Sequence, residues 1–366
     1  MIYKTLRPWF FELSKKDPEV AHEVAVGALK FMSRNKFLLS LMRGELFEGR
    51  LTQELWGIRF PKPVGLAAGF DKNAAAYPAL ATMGFGFIEV GTVTFLPQSG
   101  NPRPRIHRFP KDQALVNYMG FPNVGAYKVA DNMHKAGTIG VPLGISLGKS
   151  SCTHVEDASL DCISSLRTLY KLGDYFTVCV SCPNSPGVRE LQHKKYLFHL
   201  LKEMVDSSSG FSAALKIKRK PVLVKISPDL SRRELDDVLE AVADAGVDGI
   251  VATNTTADLD VLTSGHSLKA GGVSGAPLFM RMLEKVGYIR ANLKKIPIIG
   301  VGGIMSSEDA YETLAAGANL VQIYTSFIYN GPSAANEMNA GILALLRENN
   351  FRDIREFNRF FCRLLN

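Results

Sequence analysis

Hydrophobic and polar positions occur in alternating blocks along this 366-residue chain. Short runs of apolar and β-branched residues are each followed by a glycine-containing or polar turn, and then by a segment with helical periodicity. Strands that are apolar on both faces are typical of parallel sheets covered by helices. Eight such runs occur, at Val64 to Ala68, Phe87 to Gly91, Pro142 to Leu147, Tyr175 to Ser181, Pro221 to Ile226, Asp248 to Thr253, Ile296 to Val301 and Asn319 to Tyr324.

Eight successive units of this kind, spread over about 300 residues, predict an α/β fold of the (β/α)8 type, the TIM barrel. We place this barrel in residues 46–366. A doubly wound sheet is the main alternative, and it would carry a Gly-x-Gly-x-x-Gly turn after its first strand if it bound a dinucleotide. The sequence contains no such pattern, which favours the barrel and argues against a nicotinamide cofactor.

Residues 1–45 fall outside the eight units and predict a small N-terminal helical extension. Asp17 followed by Pro18 is a typical helix start. One face of this helix would be apolar, with Val20, Val24, Ala28 and Phe31. Aromatic and basic residues also occur together between positions 4 and 16, as in helices that lie in a membrane interface. Two interpretations stay open: a cover docked on the barrel floor, or a membrane element.

The composition is that of a globular protein, with 46% hydrophobic and 21% charged residues. The net charge of +8 suits an anionic ligand or lipid surface, but the basic residues are spread along the chain, so no nucleic-acid partner is expected. The five irregularly spaced cysteines favour a reducing compartment over a disulfide framework. Without a long apolar run or a secretory cleavage site, we expect a soluble or peripheral protein.

Functional groups of barrel enzymes lie on the loops that follow the strands. Lys225 lies inside the fifth predicted strand, where a buried cation is costly unless it is paired with an anion. A barrel carboxylate could pair with it, but the scarcity of acidic groups at the strand ends favours an anionic ligand. Glycine-rich segments at 271–275 and 300–303 are typical of phosphate binding by backbone N–H groups. A phosphate-bearing cofactor is therefore predicted.

Two other patterns do not predict sites. Residues 144–150 look like a P-loop but have one residue too few between the glycines. Cys179 and Cys182 form a Cys-x-x-Cys pattern, yet no second cysteine pair or suitably spaced histidines complete a zinc site. The pattern also ends a strand instead of opening a helix, unlike a dithiol redox motif. We expect no metal.

Seven ordered motifs across nearly the whole chain resemble the dihydroorotate dehydrogenase family. They are GLAAGFDKN at 65–73, MGFG at 83–86, NYMGF at 117–121, SCPNSPG at 181–187, VKISPDL at 224–230, ATNTT at 252–256 and IGVGG at 299–303. The segment DPEVAHE at 17–23 resembles the N-terminal appendage of the quinone-dependent class.

The resemblance implies oxidation of (S)-dihydroorotate to orotate in de novo pyrimidine (UMP) biosynthesis, with FMN as cofactor and membrane quinone as electron acceptor. It also implies peripheral association with the cytoplasmic side of the cell membrane. By motif position, Cys182 would be the catalytic base, and His22 and Arg108 would line the quinone site. The implied cofactor-binding residues are Ala68, Gly69, Thr92, Ser146, Cys179, Lys225, Thr253, Gly275, Gly303, Tyr324 and Thr325. The implied substrate-binding residues are Lys72, Asn117, Tyr118, Met119, Gly120, Phe121, Asn184, Asn254 and Thr255.

Four residues depart from the family pattern. The quinone class has a serine where this chain has Cys182, and the soluble class has a cysteine there. An unperturbed thiol has a pKa of about 8.5, so we expect Cys182 to be a more available base than a hydroxyl. Cys179 and Ser146 replace asparagines, and Tyr118 replaces an arginine or similar residue; a thiol is a weaker hydrogen-bonding group than an amide. A second interpretation therefore stays open, an FMN-binding barrel that binds a pyrimidine-like ligand with altered or weak catalysis.

Overall fold

The computed structural model describes residues 2–13, 17–35, 37, 39 and 49–364. The strands within these residues are β1 (Gln53–Leu55), β2 (Ile58–Phe60), β3 (Val64–Leu66), β4 (Phe87–Val93), β5 (Ile106–Phe109), β6 (Ala114–Asn117), β7 (Leu143–Leu147), β8 (Tyr175–Cys179), β9 (Val222–Ile226), β10 (Gly249–Ala252), β11 (Gly272–Gly275), β12 (Ile298–Val301) and β13 (Leu320–Ile323). Strands β3, β4, β7, β8, β9, β10, β12 and β13 pair in parallel and close into a barrel. The predicted (β/α)8 fold is confirmed, and each barrel strand overlaps one of the eight predicted runs.

All residues of the eight barrel strands are buried. Their outer faces pack against helices, and their inner faces meet inside the barrel, where Phe87, Tyr175, Leu223, Val251 and Leu320 belong to one apolar cluster. Burial on both faces explains why these strands are continuous apolar runs in the sequence, without the alternation of a half-exposed strand.

The helices of the described residues are α1 (Ile2–Leu13), α2 (Pro18–Ser33), α3 (Tyr77–Ala81), α4 (Ala126–Ala136), α5 (Ala158–Leu169), α6 (Lys194–Leu215), α7 (Arg232–Ala245), α8 (Phe279–Asn292), α9 (Ser307–Ala315), α10 (Thr325–Asn330), α11 (Ala334–Glu348) and α12 (Ile354–Leu364). Capping boxes fix the starts of two of them, through Ser231 and Glu234 for α7 and through Ser306 and Asp309 for α9. No helix in these ranges is long and apolar enough to cross a membrane.

A short hairpin covers the amino ends of the barrel strands. Strands β1 and β2 pair in antiparallel fashion on either side of Trp56. The indole Nε1 of Trp56 donates to the carbonyl of Asp248, just before β10, at 2.8 Å. The ring centroid of Phe60 lies 5.4 Å from that of Phe87 at the start of β4. The hairpin therefore forms the barrel floor.

The N-terminal extension docks at the opposite end of the barrel. Helix α2 begins as predicted, because the Asp17 carboxylate accepts a hydrogen bond from the N–H of Glu19 at 3.0 Å. The His22 ring lies 5.0 Å, centroid to centroid, from Phe70, which follows β3. Of the two interpretations left open by the sequence, the cover on the barrel floor does not fit, since the hairpin holds that position and α2 lies beside the carboxyl ends of the strands.

The predicted apolar face of α2 is exposed to solvent. Val24 and Phe31 are 68% and 70% exposed, whereas Glu19 and Leu29 on the other side of the helix are buried. Helix α1 is tied to the barrel by Tyr3, whose hydroxyl donates to the carbonyl of Ile328 at 2.7 Å. The expected boundary at residue 45 lies outside the described residues, and the division into two domains stays a prediction.

A second sheet, which the sequence pattern did not predict, lies at the mouth of the barrel. Strands β5, β6 and β11 pair in antiparallel order, with β6 in the middle. Asn117 ends β6 opposite Gly272 of β11, and its side-chain amide donates to the Gly272 carbonyl at 3.2 Å. This sheet holds Asn117 above the barrel.

Candidate active site

An open cleft lies at the carboxyl ends of the barrel strands. This is the face where barrel enzymes carry their active sites. Most of the predicted site residues line it, namely Ala68, Gly69, Lys72, Thr92, Asn117, Met119, Gly120, Phe121, Cys179, Cys182, Asn184, Lys225, Thr253, Asn254, Thr255, Gly275, Gly303, Tyr324 and Thr325. Their roles stay predictions, but the fold brings these separate segments together around one space.

Lys225 presents a buried positive charge to the cleft. The residue is 7% exposed and sits on β9, opposite Cys179 of β8. Within the described residues, no carboxylate lies within ion-pair distance of its ammonium group, so the barrel salt bridge considered from the sequence is not formed. A buried cation that faces a cavity without a protein counter-ion suits an anionic ligand.

The glycine-rich loop after β12 brings its backbone close to the cleft. Gly302 and Gly303 have φ angles of +133° and +76°, which other residues adopt only under strain. A Cβ atom on Gly303 would lie 2.3 Å from the backbone nitrogen of Phe279, at the start of α8. Across the cleft, the hydroxyl of Thr325 donates to that of Ser274 at 2.9 Å. The glycines thus let this loop pack closely against the start of α8, and phosphate binding by its backbone N–H groups stays a prediction.

Asn184 offers an unsatisfied acceptor at the opposite side of the cleft. Its amide nitrogen donates to both the carbonyl and the side-chain oxygen of Asn117, at 2.8 and 3.0 Å. Within the described residues, the buried Oδ1 of Asn184 accepts no hydrogen bond. An unpaired buried acceptor is costly, so this atom fits a ligand that carries an N–H group.

Lys72 is a second cation in the lining of the cleft, besides Lys225. Its ammonium group donates to the carbonyl of Gly69 at 2.6 Å. Burial lowers the pKa of Lys72 to about 8, while the nearby carboxylates of Glu19 and Asp71 oppose that shift. Lys72 therefore stays mostly protonated at neutral pH and can bind a carboxylate.

Cys182 is buried in the loop after β8. It is 7% exposed, and the hydroxyl of Ser185 donates to its sulfur at 3.7 Å. Burial raises the pKa of the Cys182 thiol to about 12, and the neighbouring Cys179 adds to the shift. Desolvation therefore disfavours the thiolate that a base requires. The same burial would also disfavour the anion of a hydroxyl at this position, so the comparison between the two stays a prediction.

Cys179 ends β8 opposite Lys225 of β9 and lines the cleft. Its sulfur accepts from the side-chain amide of Asn254 at 3.5 Å, and the same amide donates to the hydroxyl of Ser181 at 3.0 Å. Burial also raises the pKa of Cys179, so it is a neutral thiol at neutral pH. The Asn254 amide therefore donates to one thiol, which is a weak acceptor, and to one hydroxyl.

Four predicted site residues lie outside the lining of the cleft. Ser146 is fully buried behind Thr92, with 2.9 Å between the two hydroxyl oxygens, and Tyr118 is 41% exposed. Arg108 lies over the ring of Phe11, 4.3 Å from its centroid, and His22 packs on Phe70. His22 and Arg108 therefore occupy the interface between the extension and the barrel mouth.

A buried polar network beneath the cleft was missed from the sequence. Glu89 of β4 is fully buried, and one of its carboxylate oxygens accepts hydrogen bonds from Tyr175 at 3.1 Å, Thr177 at 3.1 Å and Gln322 at 3.0 Å. Gln322 also lines the cleft. A carboxylate inside an apolar strand is as unusual as a lysine there, so the position of Glu89 within an apolar run of the sequence could have identified the network.

These features define a (β/α)8-barrel enzyme with a cleft suited to an anionic cofactor beside a small polar ligand. The chain belongs to the dihydroorotate dehydrogenase family, because the sequence model described as Dihydroorotate dehydrogenase matches residues 50–346. The family predicted from the seven motifs is confirmed.

Individual relatives agree with this assignment. A protein of Thermosynechococcus vestitus named dihydroorotate dehydrogenase (quinone) is 43% identical over 93% of this chain and 95% of its own length. A protein of the same name from Trichormus variabilis is 41% identical over 97% of both chains. The crystal structure of DHODH from Eimeria tenella in complex with ferulenol is similar with a TM-score of 0.84 and 32% identity, over 95% of this chain and 97% of that chain.

Proposed function

We propose that this protein oxidises dihydroorotate to orotate with bound FMN and passes the electrons to a membrane quinone. Family membership and similarity to relatives named for this activity support the reaction. The observation that carries the proposal is the presence of two cations in one cleft, the buried Lys225 beside the glycine-rich loops and the partly buried Lys72 near the polar groups of Asn117 and Asn184.

The cofactor side of the cleft fits FMN. Lys225 would stabilise negative charge on the reduced flavin ring, and the loop of Gly302 and Gly303 would hold the phosphate together with Gly275 and Thr325. When bound, FMN supplies the hydride acceptor and the route for two electrons to quinone. Lys225 would then be the side chain through which the barrel stabilises the reduced flavin.

The substrate side would orient dihydroorotate by complementary charges and hydrogen bonds. Lys72 would bind the carboxylate, and the free Oδ1 of Asn184 would accept from a ring N–H. One ring carbon then gives up a hydride and its neighbour gives up a proton, so that a carbon–carbon double bond forms. Cys182, in thiolate form, would take that proton, and Ser185 would donate a hydrogen bond to its sulfur.

The extension would bring the enzyme to its second substrate. The exposed side chains of Val20, Val24 and Phe31 form an apolar face that can lie in a membrane interface. His22 and Arg108 lie between this helical extension and the barrel mouth, a position suited to a quinone that arrives from the membrane. We therefore propose peripheral association with the cytoplasmic side of the cell membrane.

Anaerobic addition of dihydroorotate to the purified protein tests the reaction. Bleaching of the flavin absorbance, followed by recovery on addition of a soluble quinone, is the expected result. Spectral perturbation without bleaching would instead support a barrel that binds a pyrimidine-like ligand without efficient oxidation. That alternative is favoured by the raised pKa of Cys182 and by the thiol of Cys179, which is a weaker partner than an amide. A protein without flavin would overturn both.

A further inference from the structure

Glu19 of the N-terminal extension is buried against a barrel loop. It lies in the first turn of α2, is 4% exposed, and both of its carboxylate oxygens are bound by Arg105. Arg105 Nε lies 2.9 Å from one oxygen, and Nη2 lies 2.8 Å from the other. This fork-to-fork geometry is the strongest form of a carboxylate–guanidinium pair, and it connects the extension to the segment that precedes β5.

Arg105 uses its remaining donors to fold its own loop. Its Nη1 donates to the carbonyls of Ser99 and Asn101, both at 2.7 Å. Arg105 is itself 7% exposed, so its charge depends on the Glu19 carboxylate. Without that carboxylate a guanidinium would remain buried and uncompensated, which is strongly destabilising.

The folded loop contacts the substrate side of the cleft through Asn101. Its backbone N–H donates to the carbonyl of Met119 at 3.0 Å, and its side-chain amide donates to the carbonyl of Asn184 at 2.9 Å. Asn184 lies two residues after Cys182 and holds Asn117. A continuous chain of hydrogen bonds therefore runs from Glu19 through Arg105 and Asn101 to the substrate loops.

We infer that Glu19 and Arg105 are positioning residues through which docking of the N-terminal helix orders the dihydroorotate-binding loops. This inference rests on the proposed function and extends it, because it gives the extension a role in substrate binding as well as in quinone access. The charges of these residues support the same inference. Burial alone would raise the pKa of Glu19, but Arg105 and Arg103 hold that pKa below its usual value. The Glu19 carboxylate in turn favours the protonated form of Lys72.

The test compares Glu19→Gln with Glu23→Gln in the full-length, FMN-loaded protein. Glu23 is a matched control, because it lies one turn further along α2 and pairs with Arg103, but its side chain is 52% exposed. Stopped-flow flavin reduction by dihydroorotate needs no quinone and separates substrate affinity from the limiting rate. For Glu19→Gln we expect the half-saturating dihydroorotate concentration to rise about tenfold or more, with a limiting rate within about threefold of the parent. Glu23→Gln should match the parent protein in both.

Asn101→Ala provides a second variant that leaves the ion pair intact, since Arg105 binds only the backbone carbonyl of Asn101. It should raise the same half-saturating concentration. In the double variant with Glu19→Gln, the change in binding free energy should be smaller than the sum of the two single changes, because both substitutions interrupt one chain of contacts. Full additivity, or a Glu19→Gln protein that binds dihydroorotate like the parent, would overturn the inference.

Hydrogen–deuterium exchange separates this inference from the proposed reaction. Glu19→Gln should speed amide exchange in residues 99–105 and 117–121, whereas Glu23→Gln should not, whether or not dihydroorotate bleaches the flavin. If the parent protein fails to bleach but Glu19→Gln exchanges faster than the parent, the coupling is retained and the reaction is rejected. If the parent bleaches and Glu19→Gln exchanges like the parent, the coupling alone is rejected.

Discussion

The hydroxyl of Ser185 donates a hydrogen bond to the sulfur of Cys182 at 3.7 Å, within a loop where both residues are buried. This is the one hydrogen-bond donor from a side chain that the described residues place on that sulfur. It favours the thiolate, while burial opposes it and raises the pKa of Cys182 to about 12. The chemistry of the proposed base therefore depends on its loop as well as on its own thiol.

If Cys182 is the base, its deprotonated form is the active one, and a raised pKa moves the rise in activity to higher pH. The rate of flavin reduction should keep increasing above pH of about 8.5, where a free thiol would already have titrated. Cys182→Ala should lower this rate by about 10² to 10⁴ with FMN still bound. Stopped-flow measurements across pH check both points, and equal rates in Cys182→Ala and the parent would remove the cysteine from the mechanism.

Lys225 should control flavin retention and reduction. It is a buried cation on β9 that lines the cleft, and no carboxylate of the described residues pairs with it. Lys225→Met should lose most of its bound FMN or reduce it about 10² times more slowly, the range expected when a preorganised charge is removed. Flavin content per chain and half-reaction rates are the measurements. Lys202→Met is the control, because the Lys202 side chain is 46% exposed on α6, and it should change neither. A fully active Lys225→Met would show that Lys225 is only structural.

Cys179→Asn should strengthen the substrate side of the cleft. An amide in place of the thiol would give Asn254 a stronger acceptor than the sulfur now 3.5 Å away. We expect dihydroorotate to bind several-fold more tightly, or flavin reduction to accelerate by a similar factor, about the value of one neutral hydrogen bond. Titration with dihydroorotate under anaerobic conditions measures this, and weaker binding would indicate that the cleft is shaped around the smaller thiol.

The exposed face of α2 should determine membrane association. Val24→Glu combined with Phe31→Glu places two charges on side chains that are 68% and 70% exposed, so folding should be little affected. Sedimentation with anionic lipid vesicles should fall sharply, while anaerobic bleaching by dihydroorotate stays unchanged. Leu160→Glu, 64% exposed on the barrel helix α5, is the matched control. Equal vesicle binding by all three proteins would contradict a membrane role for this face.

His22 should make the protein acid-sensitive. Burial, together with the Lys72 charge, lowers the pKa of His22 to about 3 in the folded state. The unfolded chain binds the proton at a pKa of about 6.5, so the free energy of unfolding falls as pH drops from that value towards the folded pKa. Thermal unfolding of His22→Asn should lose less stability over this range than the parent, and His199→Asn, exposed on α6, should behave like the parent. Identical acid profiles for all three would refute this assignment.

The barrel could be predicted from sequence because each of its strands is buried on both faces, and such strands remain visible as apolar runs. Helix starts at Asp17, Ser231 and Ser306 are equally local, since a cap requires only a few neighbouring residues. Lys225 was recognisable for the same reason, as a charge inside an apolar run. The sequence therefore determined the architecture, the family and the segments that surround the cleft.

Features that depend on contacts between distant segments were decided by the tertiary structure. Three-residue strands such as β1 and β2 have too little local signal, and β11 joins the hairpin of β5 and β6 only by pairing with residues far away in the sequence. The same applies to Glu19 and Arg105, which lie 86 residues apart, and to the shifted pKa of Cys182. Desolvation and charge pairing depend on what surrounds a side chain in space, and the order of residues along the chain does not specify those surroundings.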